Sequence, residues 1–247
     1  MNALVALVER TVRGTLRDLD LVFAVLVPVA TFVGFTVVLR GLVDTGGVDY
    51  AQYVLPAVII QTTLFGAMTT ADRAAREQAT GFGVRLRTLP IPILLPLFAR
   101  MLYCMIRGAL AMVAAVGIAY VFGFRMAGGF LYGVAFVATV LTLTLALSLG
   151  ADATGTQVRS TDASSQMLLI PQLLLVLLST GMAPVGSFPS WIQPFVHYQP
   201  VSQVTETLRG FAVGLVNPGN LAMSLAWCLG LLVVFGAVAL RMQRRMQ

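Results

Sequence analysis

The 247 residues are 58% hydrophobic and 11% charged, with a mean hydropathy of +0.88, whereas a soluble domain carries roughly 25% charged residues. All 16 basic side chains are arginine, so the chain has no lysine for a Walker A motif or a Schiff base. One histidine and two cysteines without ligand spacing argue against a metal site, a haem site or a catalytic triad, and the net charge of +6 is read as topology rather than as a nucleic-acid footprint.

Windows of about 19 residues place six apolar spans near residues 21–39, 53–71, 100–122, 130–150, 166–184 and 220–240. The predicted fold is a single all-α integral membrane domain over 1–247. Ahead of the first span, Leu4, Val5, Val8, Val12, Leu16 and Leu19 recur at helical spacing opposite Arg10, Arg13 and Arg17. That pattern predicts an amphipathic interfacial helix over 1–20, with its arginines toward lipid phosphate, and not a signal peptide. The second span carries Gln61, Thr62 and Thr63 near its middle. An amide facing lipid is costly, so this face either packs on another helix or lines a substrate path.

Residues 72–92 follow. A polar helical piece containing Arg73 and Glu77 leads to a break at Gly81 and Gly83, then a short turn in which Phe82, Val84, Leu86 and Leu89 alternate with Arg85 and Arg87, stopped by Pro90 and Pro92. Helix connections usually need about two to eight residues, so this length predicts a docking element for a partner. The next apolar stretch, 93–122, would be about 45 Å of helix against a core of about 30 Å, which puts its first third in the interface. Arg100 and Arg107 share one face and are expected to snorkel to the headgroups, or else to face a cavity and bind acidic lipid or substrate.

The connection 152–162 is small and polar. The fifth span contains Pro171, Gln172, Ser179 and Thr180, which predicts a kinked helix partly facing a cavity. Residues 185–215 are neither a span nor a polar loop. Trp191 and its aromatic neighbours, then an amphipathic run from Val201 to Leu215, predict two short re-entrant helices in the outer leaflet, on which Glu206 and Arg209 can pair. The two cysteines, Cys104 and Cys228, read as free core thiols.

Six spans put both termini on one side. Twelve arginines lie there: Arg10, Arg13, Arg17, Arg73, Arg76, Arg85, Arg87, Arg100, Arg159, Arg241, Arg244 and Arg245. Arg40, Arg125 and Arg209 fall on the other side, and Arg107 falls within a span. Positive charge is retained in the cytoplasm, so both termini are expected to be cytoplasmic in a bacterial inner membrane.

Several segments together resemble the permease subunits of type-2 ATP-binding cassette exporters, in their daunorubicin-resistance (DrrB/DrrC-like) branch. They are Ser179-Thr180-Gly181-Met182-Ala183-Pro184, Phe188-Pro189-Ser190-Trp191-Ile192-Gln193-Pro194-Phe195, Gln199-Pro200-Val201-Ser202 and Leu208-Arg209-Gly210-Phe211. Arg85-Leu86-Arg87-Thr88-Leu89-Pro90, Ala99-Arg100 with Arg107, Gly123-Phe124-Arg125 and Arg159-Ser160-Thr161-Asp162 extend the resemblance over nearly the whole chain. It implies the type-2 permease fold, with six membrane helices, a cytoplasmic coupling helix and two external re-entrant helices. It also implies two ATP-binding subunits that hold ATP and Mg, with no cofactor in this chain, and a second permease copy or paralogue.

On this resemblance Glu77, Gly81, Phe82, Arg85 and Arg87 would contact the ATPase. Glu77 stands four positions before the glycine, further than is common in the family, so the contact is placed across the whole stretch. Gln61, Thr62, Thr63, Gln172 and Ser179 would line the path of a lipophilic drug or envelope lipid, with Trp191, Glu206 and Arg209 on the external helices. The competing readings are a nucleotide-independent secondary transporter, a membrane scaffold subunit and an intramembrane enzyme. Secondary transporters usually carry carboxylates within their spans, and the sequence reading places none there.

Overall fold

The computed structural model describes residues 19–41, 49–80, 94–157 and 161–245. The sequence-derived interfacial helix over 1–20, apart from its last two residues, lies outside them, as do Gly81, Phe82, Arg85 and Arg87. Among the described residues there is no strand, and eight α-helices follow in chain order. These are α1 (Asp20–Leu39), α2 (Tyr50–Ala79), α3 (Leu95–Val121), α4 (Gly129–Gly155), α5 (Thr161–Leu177), α6 (Gln193–Tyr198), α7 (Pro200–Val213) and α8 (Pro218–Arg245), with one 3-10 turn at Val185–Ser187.

Five of these helices, α1 to α4 and α8, are long and apolar enough to cross a membrane. At 1.5 Å per residue α2 runs about 45 Å and α5 about 26 Å. The apolar part of α5, Met167–Leu177, is correspondingly short. Instead of continuing to residue 184, α5 stops at Leu177, where Ser179 Oγ donates to the Val176 carbonyl at 2.6 Å and the Thr180 amide donates to Ser202 Oγ at 3.0 Å. These protein partners satisfy the broken backbone, as they must wherever a helix ends at membrane depth.

Helix α2 forms the core, its Val54, Leu55, Val58, Ile59 and Ile60 almost wholly buried. Around it pack Phe32 of α1, Phe136 and Val140 of α4, and Val204 and Leu208 of α7. Apolar side chains on the outer faces, such as Phe23, Leu26, Val233 and Val234, are exposed. A bundle in lipid presents this surface because hydrocarbon solvates it as well as a protein core does.

One end of the bundle, called here the arginine end, gathers Asp20, Ala79, Leu95 and Gly155. At the opposite, cap end, α7 is inserted between α2, α4 and α8. Its buried face mixes Val204, Leu208 and Phe211 with Ser202, Gln203, Thr205 and Thr207. Gly214, at φ +83, closes α7 in the left-handed conformation that glycine adopts without cost, and its amide donates to the Gly210 carbonyl at 2.8 Å. A Cβ on Gly128 would fall 2.3 Å from the Phe211 carbonyl oxygen, so the α3–α4 turn lies hard against this helix.

Candidate coupling and translocation site

At the arginine end six charged side chains from four helices meet in two knots. Asp20, in the first turn of α1, accepts from Tyr103 Oη at 2.8 Å and Arg107 Nε at 3.3 Å, both on α3. It also lies 3.4 Å from Arg73 Nη2 of α2, and that guanidinium sits 4.3 Å above the Tyr103 ring. In the second knot, Arg100 of α3 reaches Glu77 Oε2 of α2 at 2.9 Å. Its Nε stands 2.7 Å from Asp152 Oδ1 and its Nη2 donates to Oδ2 at 3.0 Å. Three guanidinium groups thus face three carboxylates.

Small residues let these long side chains meet. A Cβ on Gly66 would lie 2.8 Å from Arg107 Nη1, and one on Gly155 would lie 2.2 Å from the Ala71 carbonyl oxygen. The close crossing of α4 on α2 delivers Asp152 to Arg100. An uncompensated buried charge costs several kcal/mol, which the paired arrangement avoids.

This geometry corrects two sequence expectations. Arg100 and Arg107 turn inward to carboxylates rather than snorkelling outward, because partners stand within 3.5 Å. Asp152 belongs to the last turns of α4, where it is 2% exposed, and is no part of a solvated connection. The spans therefore do hold carboxylates: Asp72 is one, and Asp20, Glu77 and Asp152 are each paired with arginine. A signal existed: Arg100 and Arg107 seven apart on one helix face required anions, and few carboxylates lie on that side of the sequence.

The path candidates divide into two groups. Thr62 and Thr63 donate to the Val58 and Ile59 carbonyls at 2.7 and 2.9 Å. Both line a cavity of about 20 Å³ shared with Arg107, Thr144 and Ser148, room for about one water. Gln61 and Gln172 instead line an apolar groove between α2 and α5, beside Phe65 and Leu173. There Gln172 Nε2 donates to the Leu64 carbonyl at 2.9 Å, and its buried Oε1 has no partner among the described residues. Successive helical residues differ by about 100° in direction, so Gln61 and Thr63 open onto different spaces. Ser179 lines neither; it is buried in the turn that ends α5.

At the cap end Arg209 is the most connected side chain. Its Nη1 donates to Glu206 at 2.8 Å, its Nε to the Tyr53 carbonyl at 3.0 Å and its Nη2 to the Thr180 carbonyl at 3.0 Å. The guanidinium stacks 3.7 Å from the Tyr53 ring, whose hydroxyl donates to the same Thr180 carbonyl at 3.0 Å. Nearby, the Gln199 amide donates to the Leu178 carbonyl, and Thr207 shares a hydrogen bond with Ser224 of α8 at 2.9 Å. Trp191 is 79% exposed. The sequence pointed to the Glu206–Arg209 pair but not to Tyr53 and Thr180, which lie 156 and 29 residues from Arg209.

Residues 2–212 match the family model described as ABC-2 type transporter. The chain belongs to that family. This permease is 28% identical over 220 residues, 88% of its length and 79% of the relative's, to the probable doxorubicin resistance ABC transporter permease protein DrrC of Mycobacterium tuberculosis. It is 31% identical over 192 residues, 75% and 66% of the two lengths, to the doxorubicin resistance permease protein DrrB of the same species. It is also 24% identical over 225 residues, 91% and 80%, to a daunorubicin resistance ABC transporter permease of Streptomyces coeruleorubidus. It is accordingly an exporter permease subunit of the multi-pass, all-helical type, and permeases of this family work with ATP-binding subunits.

Proposed function

We propose that the chain forms the membrane half of an exporter that moves a lipophilic drug or envelope lipid out through a bacterial inner membrane. Two separate ATP-binding subunits supply the energy, holding ATP and Mg; the permease pairs with a second copy or paralogue and has no hydrolytic site of its own. The arginine end and both termini face the cytoplasm, following the charge bias of the flanking segments. Glu77 with Gly81, Phe82, Arg85 and Arg87 forms the contact with the ATPase. Closure of the ATPase pair does work on the permease through differential affinity for its two states.

The observation that carries this reading is the match of 2–212 to the family model, joined to relatives named for doxorubicin and daunorubicin resistance. The pairing of every carboxylate of the two knots with arginine weighs against ion-coupled transport, which relies on carboxylates able to gain and lose a proton. Of the path candidates, Gln61 and Gln172 fit an apolar cargo best, since their groove is walled by Leu64, Phe65, Leu169, Leu173 and Val176.

The test is uptake of doxorubicin into inside-out vesicles holding the permease with its ATP-binding partner. Uptake that needs ATP and stops with a hydrolysis-dead ATPase supports the proposal. Uptake that survives the dead ATPase yet collapses with the proton gradient supports the secondary transporter instead.

A further inference from the structure

Helix α2 is gripped near both ends by an arginine from another element: Glu77 by Arg100 of α3, and Tyr53 by Arg209 of α7. From residue 53 to residue 77 the helix rises about 36 Å, more than the hydrocarbon core. Between these grips it is the most enclosed of the five membrane-length helices, with Val54, Leu55, Val58, Ile59 and Ile60 at 2% exposure or less. Its weak point is Pro56, whose missing N–H leaves the helix without one backbone bond close to the cap end. Arg209 grips the turn just before that point, donating to the Tyr53 carbonyl while its plane lies on the Tyr53 ring.

We propose that α2 is the rod that carries movement from the arginine end to the cap, and that Arg209 is the joint delivering it to α7. This rests on the exporter reading above and goes beyond it, by assigning a positioning role to a residue that touches neither nucleotide nor the α2–α5 groove. A planar guanidinium can hold two carbonyls, a carboxylate and a ring face together, and here it does so between three segments: the start of α2, the Ser179–Thr180 turn and α7. The Thr180 carbonyl accepts from both Tyr53 and Arg209 at 3.0 Å, which locks the turn after α5 into the same joint. Displacement of the first turns of α2 therefore moves α7 and that turn together. The buried face of α7, polar at Ser202, Gln203, Thr205 and Thr207, suits a segment whose surroundings become wet when the cap shifts.

The experiment is hydrogen exchange, read by mass spectrometry, on the permease reconstituted with its ATP-binding partner, without nucleotide and trapped with ADP-vanadate. In the wild type, uptake changes on trapping both in a peptide covering 65–79 and in one covering 200–213. In Arg209→Lys, which keeps the charge but loses the fork and the stack, the 65–79 response persists. The 200–213 response falls by about tenfold, the scale set by losing roughly one charge-assisted hydrogen bond. Tyr53→Phe keeps the stack and removes only the hydroxyl bond to Thr180, so it gives an intermediate loss in a protein that retains its melting temperature. A full 200–213 response in Arg209→Lys overturns the inference, as does a full response in Tyr53→Phe should Arg209→Lys fail to fold. Loss of the response at 65–79 in the wild type as well overturns the exporter reading beneath it.

Discussion

Arg100 grips Asp152 with two nitrogens, Nε at 2.7 Å from Oδ1 and Nη2 at 3.0 Å from Oδ2, at a point where the carboxylate is 2% exposed. The same guanidinium holds Glu77 at 2.9 Å, so helices α2, α3 and α4 share one cation. Removing one member strands the other charges in a poorly solvated place. Arg100→Ala should therefore destabilise the permease by about 3–5 kcal/mol, while Arg100→Met with Asp152→Leu should recover the part of that loss due to the nearly dry Asp152, leaving only the more exposed Glu77 without its cation. Thermal unfolding of the three proteins in one detergent checks this, and equal losses in the single and double variants would contradict it.

The Gly155–Ala71 crossing has no slack. An added Cβ would meet the Ala71 carbonyl oxygen at 2.2 Å, and backbone cannot step aside as a flexible side chain can. Gly155→Ala is expected to cost about 1–3 kcal/mol through overpacking and to loosen the Arg100–Asp152 contact. Gly34→Ala is the control, because a Cβ added there, on the exposed face of α1, would meet nothing within 4 Å. There the gain in helix propensity should leave stability unchanged or raised by about 0.4–1 kcal/mol. Thermal unfolding of both variants beside the wild type checks this, and equal shifts at the two positions would contradict it.

The apolar lengths that made this chain a membrane protein were readable because hydrocarbon thickness sets helix length directly. The same reading foresaw the short α6 and α7 between Gln193 and Val213, since proline spacing and Trp191 mark a segment that cannot span. The partners of Arg100 and Arg209 were not readable. Asp152 lies 52 residues from Arg100 and Tyr53 lies 156 from Arg209, and composition carries no record of which helices cross. The cost of an amide in lipid told that Gln61 needed company, but only the α2–α5 packing places it beside Gln172 rather than beside Thr63.

Gln172 is held on one side only. Its amide nitrogen bonds the Leu64 carbonyl while its buried oxygen faces no donor among the described residues. Leaving such an acceptor unmet costs about as much as the single bond returns. Gln172→Leu should therefore change stability by less than about 1 kcal/mol, while altering doxorubicin uptake if the α2–α5 groove carries cargo. Chemical unfolding and vesicle uptake on the same variant separate the two effects; a large destabilisation would mean that the amide is chiefly a packing element.

Cys104 and Cys228 are free and buried, at 7% and 1% exposure. Cys104 shares a contact of 3.2 Å with Thr70 Oγ1 inside the α2–α3 packing, and Cys228 sits on α8 within the main core. A thiol attacks as its exposed thiolate, and both groups are buried in this state. Maleimide should therefore label the folded permease slowly at both positions and rapidly after denaturation. Cys104 borders the cavity that also holds Thr62, Thr63 and Arg107, so its labelling doubles as a probe of that space. If nucleotide trapping rearranges the α2–α3 contact, Cys104 should become the faster of the two, while Cys228 keeps its protection. Equal acceleration at both sites would indicate general loosening of the bundle instead of a movement along α2.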